Sequence, residues 1–233
     1  MSKGTVYLIP TVLAEDGFAA VPAYTLDAIK ACQVFFVEEE RTARRYLKKL
    51  WREMVIDDYQ WHVIDKKNPE VKKALEEALR AGLTVGIMSE AGCPGVADPG
   101  QDLVALAQSK GAMVKPLVGP SSILLALMAS GMNGQHFRFK GYLPIDQLQR
   151  NKVIKELEAD SAKTGCTQIF IETPYRNNQM LDSLLKICQP ATRLCIGVDI
   201  TSVNEKIQTR TIADWKKDIP ELHKKPVIYL ISV

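Results

Sequence analysis

The sequence predicts an α/β protein of two domains, the first on a mainly parallel sheet and the second on a mixed one. Three observations predict it. Short β-branched or aromatic runs alternate with helix-period stretches along most of the 233 residues. The alternation lapses in the last third, where two strand-like runs follow each other with no clear helix between them. Proline and glycine punctuate the middle at 115–116 (KP) and 119–120 (GP), which sets the expected domains at residues 1–116 and 117–233.

Taken in order, the strand-like runs are 5–10 (TVYLIP), 33–37 (QVFFV), 84–88 (TVGIM) and 113–118 (MVKPLV), followed by 137–143 (FRFKGYL), 167–172 (TQIFIE), 193–199 (RLCIGVD), 205–212 (EKIQTRTI) and 226–233 (PVIYLISV). Each is rich in residues that fit a pleated, half-buried surface. Helical patterns fall between most of them. Residues 70–81 set Lys72 and Lys73 against Glu76 and Glu77 at helical spacing, and 101–110 and 123–130 follow strand ends. Strand–helix alternation of this kind makes right-handed crossovers and a parallel sheet.

Composition excludes several classes. Hydrophobic residues make up 46% and charged residues 24%, which is globular and rules out disorder. A net charge of +3 does not by itself demand nucleic acid, although a local basic patch would. The longest apolar run, 123–129 (ILLALMA), is far too short to span a membrane, and the N-terminus has no adequate signal-peptide core. Five cysteines without a C-x-x-C pair point to reduced thiols and a cytoplasmic setting. Three scattered histidines offer no metal site.

The densest chemical signal is SEAGCPGVADPG at 89–100, between the run at 84–88 and the helix at 101–110. A glycine-rich loop at the carboxyl end of a parallel strand exposes backbone N–H groups to a ligand. It matches neither the triphosphate P-loop nor the G-x-G-x-x-G dinucleotide fingerprint, and a long turn needing positive φ is the plain alternative. A second strand-to-helix junction, VGPSS at 118–122, carries similar chemistry. Its serines could serve only as an N-cap.

These segments, with FRFKGYLP at 137–144, YLIPT at 7–11, VEEERTARRYL at 37–47, IETPYR at 171–176 and VDITSVNEK at 198–206, together resemble the tetrapyrrole-methylase superfamily. They match best its branch that 2′-O-methylates a cytidine of small-subunit ribosomal RNA. The resemblance covers nearly the whole chain. It implies S-adenosylmethionine as cofactor in a cleft between the domains, and a homodimer. It places Pro10, Thr11, Glu90, Ala91, Gly92, Cys93, Pro94, Gly95, Ser121, Ser122, Ile171, Glu172, Thr173, Val198 and Asp199 around the cofactor, with Asp98 bracing the loop. The chain also departs from the branch. PTVLAE at 10–15 stands where PTPIGN is usual, Glu39 and Glu90 replace aspartates, Cys93 a threonine and Tyr175 a histidine. VDITS at 198–202 lacks two basic residues of the pattern.

Methyl transfer to oxygen needs alignment above all, with a base to help a ribose hydroxyl. Glu90, Glu172 and Glu205 are the carboxylates on matched motifs, each equally readable as a structural acceptor. Cys93 has no histidine near in sequence, which argues against a nucleophile. Outside these motifs, Arg41, Arg44, Arg45, Lys48, Lys49 and Arg52 recur at i, i+3, i+4, i+7, i+8 and i+11, and so share one helical face. That face is either simply solvated or a phosphate-binding surface. The expected function is ribose 2′-O-methylation of small-subunit ribosomal RNA. The alternatives are methylation of a tetrapyrrole or other small acceptor, and a cofactor- or RNA-binding module without catalysis.

Overall fold

Val34–Val37 (VFFV) is buried at every position, a pattern that requires apolar cover on both faces of its sheet. The computed structural model, which describes residues 4–65 and 68–233, supplies that cover. The chain divides into two units, Met1–Pro120 and Ser121–Val233.

The first unit runs β1 (Thr5–Ile9), α1 (Thr25–Ala31), β2 (Val34–Val37), α2 (Glu40–Leu50), β3 (Gln60–Val63), α3 (Pro69–Arg80), β4 (Thr84–Met88), α4 (Gln101–Ser109) and β5 (Met113–Pro116). Its five strands are all parallel, in the order β3-β2-β4-β1-β5. Val34 and Phe36 point to the face covered by Leu75 and Leu79 of α3 and Leu103 and Ala107 of α4. Phe35 and Val37 point to the face covered by Ile29 of α1 and Tyr46 and Leu47 of α2. Crossovers running toward β3 thus use one face and those running toward β5 the other, as right-handed connections demand. Gly86 is needed here, because a Cβ would press against the Phe35 ring and Ile9.

The second unit runs α5 (Ser122–Ser130), β6 (Phe137–Tyr142), α6 (Gln147–Thr164), β7 (Thr167–Glu172), α7 (Asn177–Ile187), β8 (Arg193–Val198), β9 (Lys206–Thr211), α8 (Ile212–Trp215) and β10 (Val227–Ser232). The sheet order is β6-β7-β10-β8-β9, with only β6 and β7 parallel. The mixed sheet expected from the missing helix is therefore present, and the missing helix is the β8–β9 hairpin. Ile154, Leu157, Leu181 and Leu184 of α6 and α7 pack on Phe170, Ile196 and Tyr229.

Two sequence expectations need correction. β3 was not foreseen, because a four-residue edge strand reading Gln-Trp-His-Val has neither length nor β-branched density to announce it. The lysines of α3 do not pair along their own helix with Glu76 and Glu77. Lys72 reaches Asp102 of α4 at 3.5 Å, Lys110 takes Glu76 at 3.1 Å, and Lys73 turns back to Glu70 at 3.8 Å.

Candidate functional site

β1 and β4 are neighbours whose connections leave in opposite directions, toward β2 and toward β5. Loops that diverge in this way open a crevice at the carboxyl ends of the strands, where open α/β sheets bind ligands. The two loops are residues 10–16 and 89–100, and the backbone stitches them together. Thr11 N–H donates to the Gly92 carbonyl at 2.9 Å, and Thr11 Oγ1 donates to the Ser89 carbonyl at 3.2 Å. Tyr46 of α2 donates its hydroxyl to the Pro10 carbonyl at 2.7 Å, and burial pushes its phenol well up. The loop after β5 joins the same cluster. Gly119 lies so close to Pro10 that a Cβ would overlap the pyrrolidine ring, and Cys93 Sγ donates to the Gly119 and Pro120 carbonyls at 3.6 and 3.5 Å.

Within 89–100, Gly92 (φ +77) and Gly95 (φ +82) occupy the left-handed region. Asp98 braces the loop, accepting the Gly95 and Gly100 N–H groups at 2.6 Å each. Among the described residues, the N–H groups of Ala91 and Cys93 make no hydrogen bond within the chain, and so remain available to an acceptor. Glu38, at the end of β2, accepts the Glu90 N–H at 2.7 Å. Burial raises the Glu38 carboxyl, and the charges of Asp98 and Glu90 add to the effect. Burial, with the nearby Asp98 charge, likewise raises the Cys93 thiol, against any thiolate chemistry there. The crevice thus combines unspent N–H donors with crowded carboxylates.

The candidate residues of the second unit form their own group. Ile171 and Glu172 end β7 with Thr173 just after it, Val198 ends β8 with Asp199 just after it, and Val227 of β10 stands opposite both Glu172 and Val198. The Asp199 N–H donates to the Pro226 carbonyl at 3.1 Å, with Asp199 itself at φ +49. Glu172 is buried. Its Oε1 accepts from Thr173 N–H at 2.6 Å and from Arg176 at 2.6 and 3.0 Å, while Oε2 has no partner among the described residues. Glu205 accepts the Thr201 N–H at 2.7 Å, supporting a turn whose residue 201 has φ +73. Glu205 and the Oε1 of Glu172 are therefore committed as local acceptors. Ser121 occupies the N-cap position of α5, yet its side chain makes no capping bond, and neither it nor Ser122 is buried.

The basic stripe is less uniform than its spacing implies. Arg52 lies beyond the end of α2 and so is not on the helical face. Arg44 pairs with Glu40 at 2.5 Å and lies 5.0 Å over the Trp61 ring. Lys48 closes the helix end, donating to the carbonyls of Arg52 and Met54 at 2.5 and 2.8 Å. Lys49 sits over Phe18 at 5.2 Å. Arg41 and Arg45 are exposed and make no side-chain bond among the described residues. Sequence reasoning missed Glu38 and the Tyr46 hydroxyl bond. Nothing in the helical spacing around Tyr46 marks a hydrogen bond to Pro10.

A family model described as Tetrapyrrole (Corrin/Porphyrin) Methylases matches residues 22–215. The chain belongs to this family. It is a methyltransferase. Among curated relatives, "Ribosomal RNA small subunit methyltransferase I" of Vibrio cholerae is 28% identical over 229 residues, covering 97% of this chain and 76% of the relative. The protein of the same name from Mesorhizobium japonicum is 31% identical over 207 residues, covering 89% and 67%. That from Halalkalibacterium halodurans is 31% identical over 187 residues, covering 79% of this chain and 61% of the relative. Of solved structures, the methyltransferase CobJ superposes with a TM-score of 0.63 at 18% identity, covering 100% of this chain and 94% of that one. Uroporphyrin-III C-methyltransferase from Thermus thermophilus, complexed with S-adenosyl homocysteine, gives 0.58 at 16% identity, covering 98% and 97%. These two superpositions concern the fold.

Proposed function

We propose that the protein transfers a methyl group from S-adenosylmethionine to a ribose 2′-hydroxyl of small-subunit ribosomal RNA. The observation that carries the reading is the proximity, in one unit, of the glycine-rich crevice and the exposed arginines of α2. Glu39, the residue after Glu38, caps α2 by accepting the Arg41 and Thr42 N–H groups at 3.0 and 2.5 Å. The basic helix therefore starts at the same carboxyl end of the sheet as the crevice loops. Relatives named for small-subunit ribosomal RNA methylation support the acceptor.

The residues present fit the cofactor. Ala91 and Cys93 N–H groups suit a carboxylate, and the carboxylates of Glu38, Glu90 and Asp98 favour the cationic ammonium and sulfonium ends. Thr11, Gly92 and Gly95 let the backbone come close, and Pro94 completes the loop. Ser121, Ser122, Ile171 to Thr173, Val198 and Asp199 stay in the proposal on the resemblance that named them. When bound, S-adenosylmethionine supplies an electrophilic methyl on a leaving group that departs as a neutral thioether. The chain's work is then to align a hydroxyl with that methyl and exclude water, which proximity alone can accelerate greatly. Glu90 is the one of the three named carboxylates whose side chain is exposed and not already spent. It is the group best able to accept the hydroxyl proton.

The proposal includes a homodimer and a cytoplasmic location. Leu124 and Met128, 51% and 79% exposed and one turn apart on α5, offer an apolar face that a second copy would cover. Among the described residues no helix is long and apolar enough to cross a membrane. Turnover tests the function: labelled cofactor should methylate small subunits that lack the modification and leave mature subunits unlabelled.

A further inference from the structure

The second unit also holds a cavity lined by none of the residues assigned above. This cavity of about 360 Å³ opens between the first turn of α6 and the outer face of α7. Its lining includes Gln147, Arg150, Asn151, Asp182, Ser183 and Lys186. We infer that this cavity binds a ribose-phosphate unit.

Arg150 carries the inference. It is only 5% exposed, yet no carboxylate pairs with it among the described residues. Its Nε donates to Ser183 Oγ at 3.1 Å and its Nη1 to the Ile145 carbonyl at 2.8 Å. No bond is made by Nη2, the third arm of the fork. A buried guanidinium without a counter-ion is costly unless something anionic meets it. The two bonds it does make hold the fork rigid, which suits planar recognition of a phosphate. The N-terminal turn of α6 lies at the same place, but the Asp146 carboxylate caps it by accepting the Gln149 N–H at 2.9 Å and offsets the helix-end potential, so the positive charge of the cavity rests on Arg150 and Lys186. Lys186 lines the cavity with no partner of its own.

Two acceptors distinguish this cavity from a plain anion site. Asn151 Oδ1 is buried with no hydrogen-bond partner. Asp182 lines the cavity with a carboxylate that pairs with neither Arg150 nor Lys186. Both would oppose a bare phosphate, and both would accept from sugar hydroxyls. A phosphate for Arg150 and Lys186, joined to hydroxyls for Asp182 and Asn151, is a ribose phosphate. The cavity volume lies at the small end of ligand sites, enough for such a unit.

The unit could come from a free nucleotide or from an RNA strand, and the experiment separates them. The intact protein is first saturated with S-adenosylhomocysteine so that the crevice of the other unit is filled. Amide and arginine side-chain NMR signals are then followed while cytidine 5′-monophosphate, inorganic phosphate or a short single-stranded RNA is added. Cytidine 5′-monophosphate should shift the Arg150 and Ser183 signals saturably, and inorganic phosphate should bind more weakly. A shift with the RNA as well assigns the strand as source; a shift with the mononucleotide alone assigns a free nucleotide. Lys186→Ala, at an exposed position, should weaken binding about tenfold, the worth of one charge-assisted bond. Asp182→Asn should reduce the preference for the nucleotide over phosphate. Arg150→Met should abolish the shifts, and its circular dichroism shows whether it folds; the two exposed variants decide the matter if it does not. No shift at Arg150 and Ser183 with any probe overturns the inference. Equal affinity for inorganic phosphate and nucleotide also overturns it, leaving a simple anion site.

Discussion

Replacing Arg41 and Arg45 together by glutamate tests the RNA-facing role of α2 without disturbing its fold. The structure selects these two. Arg44 and Lys48 hold α2 to Glu40, Trp61 and the carbonyls of Arg52 and Met54, so changing them would mix lost binding with lost structure. Arg41 and Arg45 on α2, and Arg52 just beyond its end, are exposed and make no side-chain hydrogen bond or salt bridge among the described residues, Arg41 having only the nearby charge of Glu39. If these three neutralise RNA phosphates, counter-ion release sets a log–log salt slope of about −2 to −3. Between 50 and 200 mM salt the affinity should then fall roughly 20- to 40-fold. The double variant keeps only Arg52, so its slope should flatten to about −0.8 and its loss shrink to about threefold. Filter binding or fluorescence anisotropy with small-subunit RNA across the salt series measures both slopes. S-adenosylhomocysteine affinity should stay at the parent value. A double variant that keeps the parent slope and affinity would refute the reasoning and leave α2 as a solvated face.

Gly119→Ala should force Pro10 away from the crevice, costing about 1–3 kcal/mol of stability and the thermal shift given by S-adenosylhomocysteine; calorimetry reads both. Asp98→Ala should release the Gly95 and Gly100 N–H groups and cost about 1–3 kcal/mol, with weaker cofactor binding by titration calorimetry. Glu38 has a raised carboxyl pKa in the folded state, so the fold binds its proton more tightly and loses stability as pH rises through the window above the ordinary glutamate value. Glu38→Gln should therefore gain stability relative to the parent as pH goes from 4 to 7, and urea melts at the two pH values check the sign. Burial pushes Cys32 and Cys188 up to about 12, and Cys166 and Cys195 are buried, so iodoacetamide should label Cys93 first and slowly, with S-adenosylhomocysteine protecting it.

Much of this was legible in the sequence because burial on two faces leaves a strong mark. TVGIM and TQIFIE read as strands, and the structure ends β4 and β7 at Met88 and Glu172, as read. The position of the glycine-rich loop at a strand's carboxyl end was equally plain, as was the bracing role of Asp98. What failed to show were facts of three dimensions. Nothing in residues 60–63 separates an edge strand from a loop. The stripe periodicity ran on to Arg52 because spacing carries no signal that Lys48 would turn back and close the helix at Leu50. Glu38 and Glu90 are 52 positions apart and meet only because β2 and β4 pair in the sheet. Arg150 sits in a helical stretch full of charged residues, where burial of one of them has no local signature.

The central claim is methyl transfer to a ribose hydroxyl, and one assay reaches it most directly. Small ribosomal subunits lacking the modification are incubated with the protein and methyl-labelled S-adenosylmethionine, and the RNA is then hydrolysed with alkali. A 2′-O-methyl blocks cleavage of the neighbouring phosphodiester. Label should therefore appear in an alkali-stable dinucleotide at a single cytidine, and mature subunits should take up none. Label in alkali-labile mononucleotides, or in a tetrapyrrole with none in RNA, would contradict the account.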